Sequence, residues 1–421
     1  MYVQMESEYA GEQIVNDNII ACIIDMNLSK LLLIGGCLVV CGCVDNKYKQ
    51  TKYDKIPSMK VIPQEIISID VEDAKEISEA DFFSKYVKHA DFVSLDSTKP
   101  LYAIEKLNVT NHTLYALSQD KIFVFNADNG SYKFTIDHKG NGSNEYLTLR
   151  DFQVQPCNNA VLGVADMQKK VFRFAVDDGH VESTESTMIG SPYMREFCGR
   201  QVHYLSYGCD FNEDETWQIV VADSLGYHYK DFPMSPIQRG HLSNGLYDND
   251  RYLTFAPMFS DTIYRITSDF KVYPAYVIRN KHSVWAERDK ELCMEELRKM
   301  LISEKLSYLK TDEFMETNDV ILFAMLESKI GYEVIQYYLY DKKERTTLRI
   351  VTGVFPLLSD CLAAFPNRLF HSDNKIVYGL YLDPYSLRTY LQYGMITDKH
   401  LKEIVENAEL GDNPILVKLV L

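Results

Sequence analysis

The chain has no basic surplus. It sets 44 Lys and Arg against 60 Asp and Glu, for a formal net charge of −16. Nucleic-acid binding needs a cationic face that displaces counterions from phosphates, and nothing here supplies one, so no nucleic-acid partner is expected. An anionic membrane surface should also repel the body of the protein, so any attachment to a bilayer must come from another source. Nine cysteines are present, none in the C-x-x-C spacing of a zinc or dithiol redox site. The G-x-S-x-G nucleophile elbow is missing as well. No apolar run is long enough to cross a bilayer as a helix: the longest, Leu31 to Gly42, is about a dozen residues. What is present in quantity is apolar and aromatic. Hydrophobic residues make up 46%, with 29 Tyr and 20 Phe, which fits a packed core built from pleated sheet.

The short apolar run has the length of a signal-peptide core, with Lys30 as its positive flank if translation begins at Met26. The preceding stretch carries Glu6, Glu8, Glu12, Asp17 and Asp25 and no Lys or Arg, the wrong sign for a signal. Residues 1–25 are therefore expected to be an upstream extension outside the fold, and 26–42 the signal peptide. The run ends in Val40-Cys41-Gly42-Cys43, which resembles a bacterial lipobox. Cys43 is the expected lipidated residue and first residue of the mature chain, with Cys41 as an overlapping second candidate. Several acyl chains on Cys43 would anchor the protein stably in a membrane. Residues 43–60 then read as a tether and 61–421 as the folded body. The other cysteines are expected to be mostly buried small hydrophobes, with a Cys198–Cys209 bridge open as an alternative outside the cytosol.

Within the body a unit recurs: an apolar strand, a polar turn, and a second strand rich in aromatics. Copies begin at Leu117, Val164, Val221, Phe259, Phe323 and Phe370, most of them about 40–55 residues apart, the length of a four-stranded propeller blade. Asp128-Asn129-Gly130 and Asp177-Asp178-Gly179 supply hairpin turns. The expected fold class is all-β, a six-bladed β-propeller. Radial repetition leaves fewer open strand edges than a sandwich would. A strand near Phe92 to Leu95 is expected to close the ring beside Ile415 to Leu419. The one long gap is expected to hold a helical insertion at about 283–310. Its helix spans Ala286 to Leu309, with Cys293, Leu297, Met300 and Leu301 on one face. Shorter helices are expected near Ser78 to Lys88 and Asp398 to Glu406.

Several segments resemble the six-bladed β-propeller lipoproteins of Bacteroides-type bacteria, a family distantly similar to NHL-repeat propellers. They are Gly140 to Leu147 with Arg150-Asp151-Phe152, Phe259 to Ile266 with Tyr276-Val277-Ile278, Lys281-His282, and Asn413 to Leu416. The chain departs from the family pattern at Ser143-Asn144, where Pro-Gly is usual. The resemblance implies a propeller fold and a lipid-anchored address in the cell envelope, at the outer membrane. It implies no activity.

Candidate chemistry is sparse. The Gly140-Asn141-Gly142 loop lacks the strand-before, helix-after context of a phosphate cradle, and reads as a blade-to-blade turn. His203, His228 and His241 fall in one blade region near acidic residues and are a weak metal alternative to no metal at all. No cofactor is expected. Asp96-Ser97-Thr98, Asp223-Ser224-Leu225 and Asp261-Thr262-Ile263 match a short bacterial O-glycosylation pattern, which makes Ser97, Ser224 and Thr262 candidate acceptors. Two functions are carried forward. One is a binding or scaffold module that holds a protein or glycan partner on the propeller face. The alternative is a propeller hydrolase or lyase acting on a glycan, lactone or peptide through axial-channel residues.

Overall fold

The computed structural model describes residues 56–421 apart from 206–216, 236, 238–242, 250, 289, 291, 293, 305, 330–331, 352–365 and 367. Cys43 with the whole leader, Cys209, Cys293 and His241 lie outside the described residues. Within them the chain forms six antiparallel sheets in sequence order. Blades 1 to 5 occupy residues 104–136, 151–186, 193–233, 246–279 and 307–351. Blade 6 combines Arg368–Ser372, Ile376–Tyr381 and Ile415–Val420 with the N-terminal strand His89–Ser94. Ile415 pairs with Ser94 and Val417 with Phe92, so the ring is closed by hydrogen bonds between its last strand and His89–Ser94. This is the expected closing pair.

Middle strands of a propeller are covered on both faces by neighbouring blades, so they read as unbroken apolar runs. Ala160–Ala165 is buried at every position. The outermost strand of the same blade, Val181–Ser186, is exposed or half-buried throughout and carries Glu, Ser and Thr. The cores lie between blades. Leu117, Ile122 and Val124 of blade 1 meet Phe152, Val161 and Phe174 of blade 2, and Ile263 and Tyr276 of blade 4 meet Ile321 and Phe323 of blade 5. The seam between blades 2 and 3 is different: among the described residues its buried apolar cluster is only Leu162, Val164, Val171 and Met194.

Residues before the closing strand belong to the fold. Ile56 and Met59 are buried, and the Lys230 amide donates to the Pro57 carbonyl. The body therefore already includes Ile56 to Lys60, ahead of the expected start at residue 61. Lys60–Val61 and Ile67–Asp70 add in parallel to the outer strand of blade 4, and Lys75–Ser78 to that of blade 5. This rim segment covers two sheet edges that would otherwise be open to pairing. Helix α1 (Glu79–Tyr86) follows, capped by the Ser78 hydroxyl, which accepts from the Asp81 amide.

The insertion between blades 4 and 5 is shorter in helix than its periodicity suggests. A 3-10 turn covers Val284–Glu287 and helix α2 covers Met294–Glu304, while Leu309 already lies in the inner strand Ser307–Glu316. The periodic face is real: Leu297, Met300 and Leu301 are buried with Val284, Phe259 and Ile237. The extra turn predicted at its end is a misreading of alternating strand residues. Helix α3 (Leu387–Gln392) was not anticipated, while α4 (Lys399–Asn407) has the expected position, with Asp398 as its N-cap.

The loop at Gly140–Tyr146 connects blades 1 and 2, as expected. The Gly142 amide donates to Glu145 Oε2 at 2.7 Å, and buried Tyr146 plugs the loop edge-on against Phe172. The D-N-G turn of blade 1 seals against the closing strand. Gly130 has φ +73°, and a Cβ there would sit 1.9 Å from the Ser94 carbonyl oxygen, so only glycine fits.

Candidate axial site

Each blade turns its first strand toward the ring axis. A bulge between Ile104 and Lys106 re-aims that strand in blade 1, and both Glu105 and Lys106 line the axial cavity. Lys106 Nζ lies 2.5 Å from Asp151 Oδ1 of blade 2 and 2.6 Å from the Phe152 carbonyl. The other oxygen of Asp151 receives Arg195 Nη1 of blade 3. Arg195 Nη2 donates to the Leu246 carbonyl of blade 4 at 3.0 Å, and its Nε lies 3.3 Å from Asp248 Oδ2. On the far side Arg368 of blade 6 donates to Asp312 Oδ2 of blade 5 at 3.0 Å and to the Ile104 carbonyl of blade 1 at 3.2 Å. Ser243, just before blade 4, hydrogen-bonds Thr311 of blade 5. A polar belt thus crosses every seam of the ring.

The belt is strongest where the apolar packing is thinnest. At the seam of blades 2 and 3, Gln153 exchanges two hydrogen bonds with the Glu196 backbone, at 3.2 and 2.8 Å, and Arg173 pairs with the Glu196 carboxylate at 3.3 Å. Asp151 is fully buried and Arg195 almost so. Burial pushes the Asp151 carboxyl up, but Arg195 and Lys106 outweigh it and hold it below the ordinary range. Burial, with the Arg195 charge nearby, brings Lys106 down to about 8 against the pull of Asp151. Asp248 is pushed up by burial despite Arg195. Glu105 is also raised, first by burial and then by Asp120. It lines the cavity and has no ion-pair partner within salt-bridge distance among the described residues.

The belt surrounds a cavity of about 1200 Å³ that follows the inner strands from Glu105, Tyr193 and Ser243 at their starts to Thr110, Gln155 and Ser372 at their ends. The hairpins that leave the inner strands form one mouth, with Asn111, Asn158 and Asn374 among its residues.

The residues singled out from sequence lie elsewhere. His203 is buried in the second strand of blade 3, its Nε2 3.2 Å from Gln201, and burial brings it down to about 4. His228 is in the outer strand of that blade, paired with Asp223. Neither lines the cavity. Among the described residues, Asp177, Asp178 and His180 are grouped closely enough to share an ion, on the exposed D-D-G turn. Ser97 and Ser224 are exposed, and Thr262 half-buried at a strand start. The Ser97 hydroxyl is already engaged by the Asn413 amide at 3.0 Å. Cys157 and Cys198 are exposed, contrary to the expected burial, because they occupy the hairpin tips of blades 2 and 3 at the cavity mouth. The axial charges escaped notice because in several inner strands they stand beside other charged residues, Lys106 after Glu105, Arg195 before Glu196 and Asp312 before Glu313. A charged residue in every inner strand, recurring at blade spacing, is the signal that would have found them.

A family model described as "Domain of unknown function (DUF4934)" matches residues 66–419. Among solved structures, an exported-protein candidate from Bacteroides fragilis is 18% identical, with a TM-score of 0.64, and the match covers 84% of this chain and 99% of that one. A member of the duf4221 family from Bacteroides vulgatus is 11% identical with a TM-score of 0.47, over 79% and 96% of the two chains. No curated protein matches. The likeness to the Bacteroides fragilis structure supports the six-bladed fold and by itself assigns no activity. Among the described residues, no helix is long and apolar enough to cross a membrane.

Proposed function

The chain belongs to the DUF4934 family, and on that premise we propose that it is an exported propeller, anchored through Cys43 at the outer membrane, that works as a binding or scaffold module for a protein or glycan partner at its axial cavity. One observation carries the reading: the axial charges are spent on one another. Lys106, Asp151, Arg195, Asp248, Asp312 and Arg368 each meet an opposite charge from a neighbouring blade. Groups so paired brace the ring and shape a cavity; at its centre Asp151 and Arg195 are poor general acids, bases or ligands because leaving the pair strands a buried charge. The resemblance to exported propellers and the lipobox-like Val40 to Cys43 support the address.

The alternative, a hydrolase or lyase, draws on one residue. Glu105 lines the cavity without an ion-pair partner among the described residues, and burial shifts its carboxyl upward, toward the range of a general acid. The two readings separate when a bound ligand is recovered and weighed by mass spectrometry. Intact ligand supports the module. A cleaved ligand, with cleavage lost in Glu105→Gln, would establish the enzyme.

A further inference from the structure

The mouth of the cavity differs from its waist. Five asparagines line it, Asn108 and Asn111 of blade 1, Asn158 of blade 2, Asn249 of blade 4 and Asn374 of blade 6, and Asn158 donates to Gln155 Oε1 at 3.2 Å. Asn108 Oδ1 accepts from the Thr110 hydroxyl at 2.8 Å and Asn249 Oδ1 from the Arg251 amide at 3.2 Å. These bonds fix the orientation of the two side chains and leave their NH2 groups, each with two donors, without a protein acceptor among the described residues. Asn111 and Asn374 are exposed at their turns. The charged groups beside them are engaged within the protein: Asp128 pairs with Lys418 at 3.0 Å and with His112 at 2.7 Å, Glu316 pairs with Arg265 and Lys342, and Asp373 accepts the Lys375 and Ile376 amides at 2.8 Å each. The same cavity is lined by Phe197 and Phe370, both half-buried.

Uncommitted amides, half-buried rings and, at the mouth, charges already engaged by the protein together select a ligand that is neutral there, rich in groups that both donate and accept hydrogen bonds, and apolar on its C–H faces; Glu105, which has no ion-pair partner among the described residues, lies at the opposite end of the inner strands. We propose that the amide-lined mouth binds a neutral polyhydroxylated chain, the end of a glycan, inserted along the ring axis. This rests on the binding-module reading and narrows it to one ligand class.

The test titrates the protein calorimetrically with maltohexaose, mannohexaose, cellohexaose and chitohexaose, and in parallel with hexagalacturonate and tetralysine. At least one neutral oligosaccharide should bind one per chain, and its Kd should change by less than about twofold between ~50 mM and ~0.5 M salt, because no net charge is screened. The Asn108→Ala/Asn374→Ala double variant should weaken it by about tenfold or more, two hydrogen-bonding side chains being lost. A thermal melt of the variant checks its fold, and the salt series on the unaltered protein stands if the variant does not fold. Binding of none of the four neutral chains overturns the proposal. So does tight, steeply salt-dependent binding of tetralysine or hexagalacturonate alone, which would leave the binding-module reading in place. A neutral chain that binds but is recovered cleaved upholds the ligand class and removes the binding-only reading.

Discussion

Replacing Arg195 with Met tests whether the polar belt holds the ring together. Arg195 joins three blades through Asp151, the Leu246 carbonyl and Asp248, at the seam whose apolar cluster is limited to Leu162, Val164, Val171 and Met194. Its side chain is 2% exposed and that of Asp151 is 0% exposed, so solvent screening gives little relief. Methionine keeps the apolar stem and removes the charge, leaving Asp151 buried with Lys106 as its remaining cation. Removing one member of a buried pair costs about 3–5 kcal/mol. With an unfolding entropy of about 2.1 cal/mol/K per residue over roughly 370 residues, a loss of ~4 kcal/mol lowers Tm by about 5 °C. Differential scanning calorimetry reads this directly. The Asp151→Asn/Arg195→Met double variant should be less destabilised than the sum of the singles by more than about 1 kcal/mol, since one change already strands the partner. Hydrogen exchange should quicken first in Tyr193–Phe197, the inner strand of blade 3. A Tm shift below about 1 °C, or additive singles, would show that the belt is incidental to the ring's stability.

Four further outcomes are expected. Asn413→Ala removes buried bonds to the Asp96 and Lys99 carbonyls and from the Leu101 amide, so it should cost about 2–4 kcal/mol in urea unfolding. Deleting 413–421 removes the strand that pairs with His89–Ser94, and should abolish the cooperative transition of the whole body rather than of one blade. Burial holds His203 at about 4 in the folded state, against an ordinary value near 6.5. The unfolded chain takes up that proton first as pH falls, so the stability this residue contributes is fully present above about 6.5 and lost on the way down to about 4. Denaturation midpoints of wild type and His203→Gln should therefore diverge across that window, the wild type losing more. Metabolic fatty-acid labelling should disappear in Cys43→Ser, and label that persists would move the site to Cys41.

Much of the ring was legible because a blade repeats. The closing pair was visible because Ile415 to Leu419 is an apolar strand too short of partners at the end of the chain, and Phe92 to Leu95 matches it at the beginning. The recurring unit gave the number of blades but not a common phase. The copies at Leu117, Val164, Phe259 and Phe323 are hairpins of second and third strands, whereas Val221 begins the hairpin of the third and fourth strands of blade 3, and Phe370 that of the first and second of blade 6. Any two adjacent strands around a tight polar turn look alike, because neighbouring blades bury both faces. The rim strands were not legible: Lys60–Val61, Ile67–Asp70 and Lys75–Ser78 are two to four residues long and polar on one side. They are set by the open edges of blades 4 and 5, which are distant in sequence. The axial belt is likewise a product of topology, since Lys106 and Arg368 become neighbours in the ring only when it closes.

A crystal structure of residues 56–421 with the tightest-binding neutral oligosaccharide tests the central claim most directly, because it reads the ring and its cavity together. It should show six blades closed by His89–Ser94, with an intact sugar chain in the axial cavity hydrogen-bonded to Asn108 and Asn374. Density for the sugar on the outer rim, or a ring of five or seven blades, would contradict it.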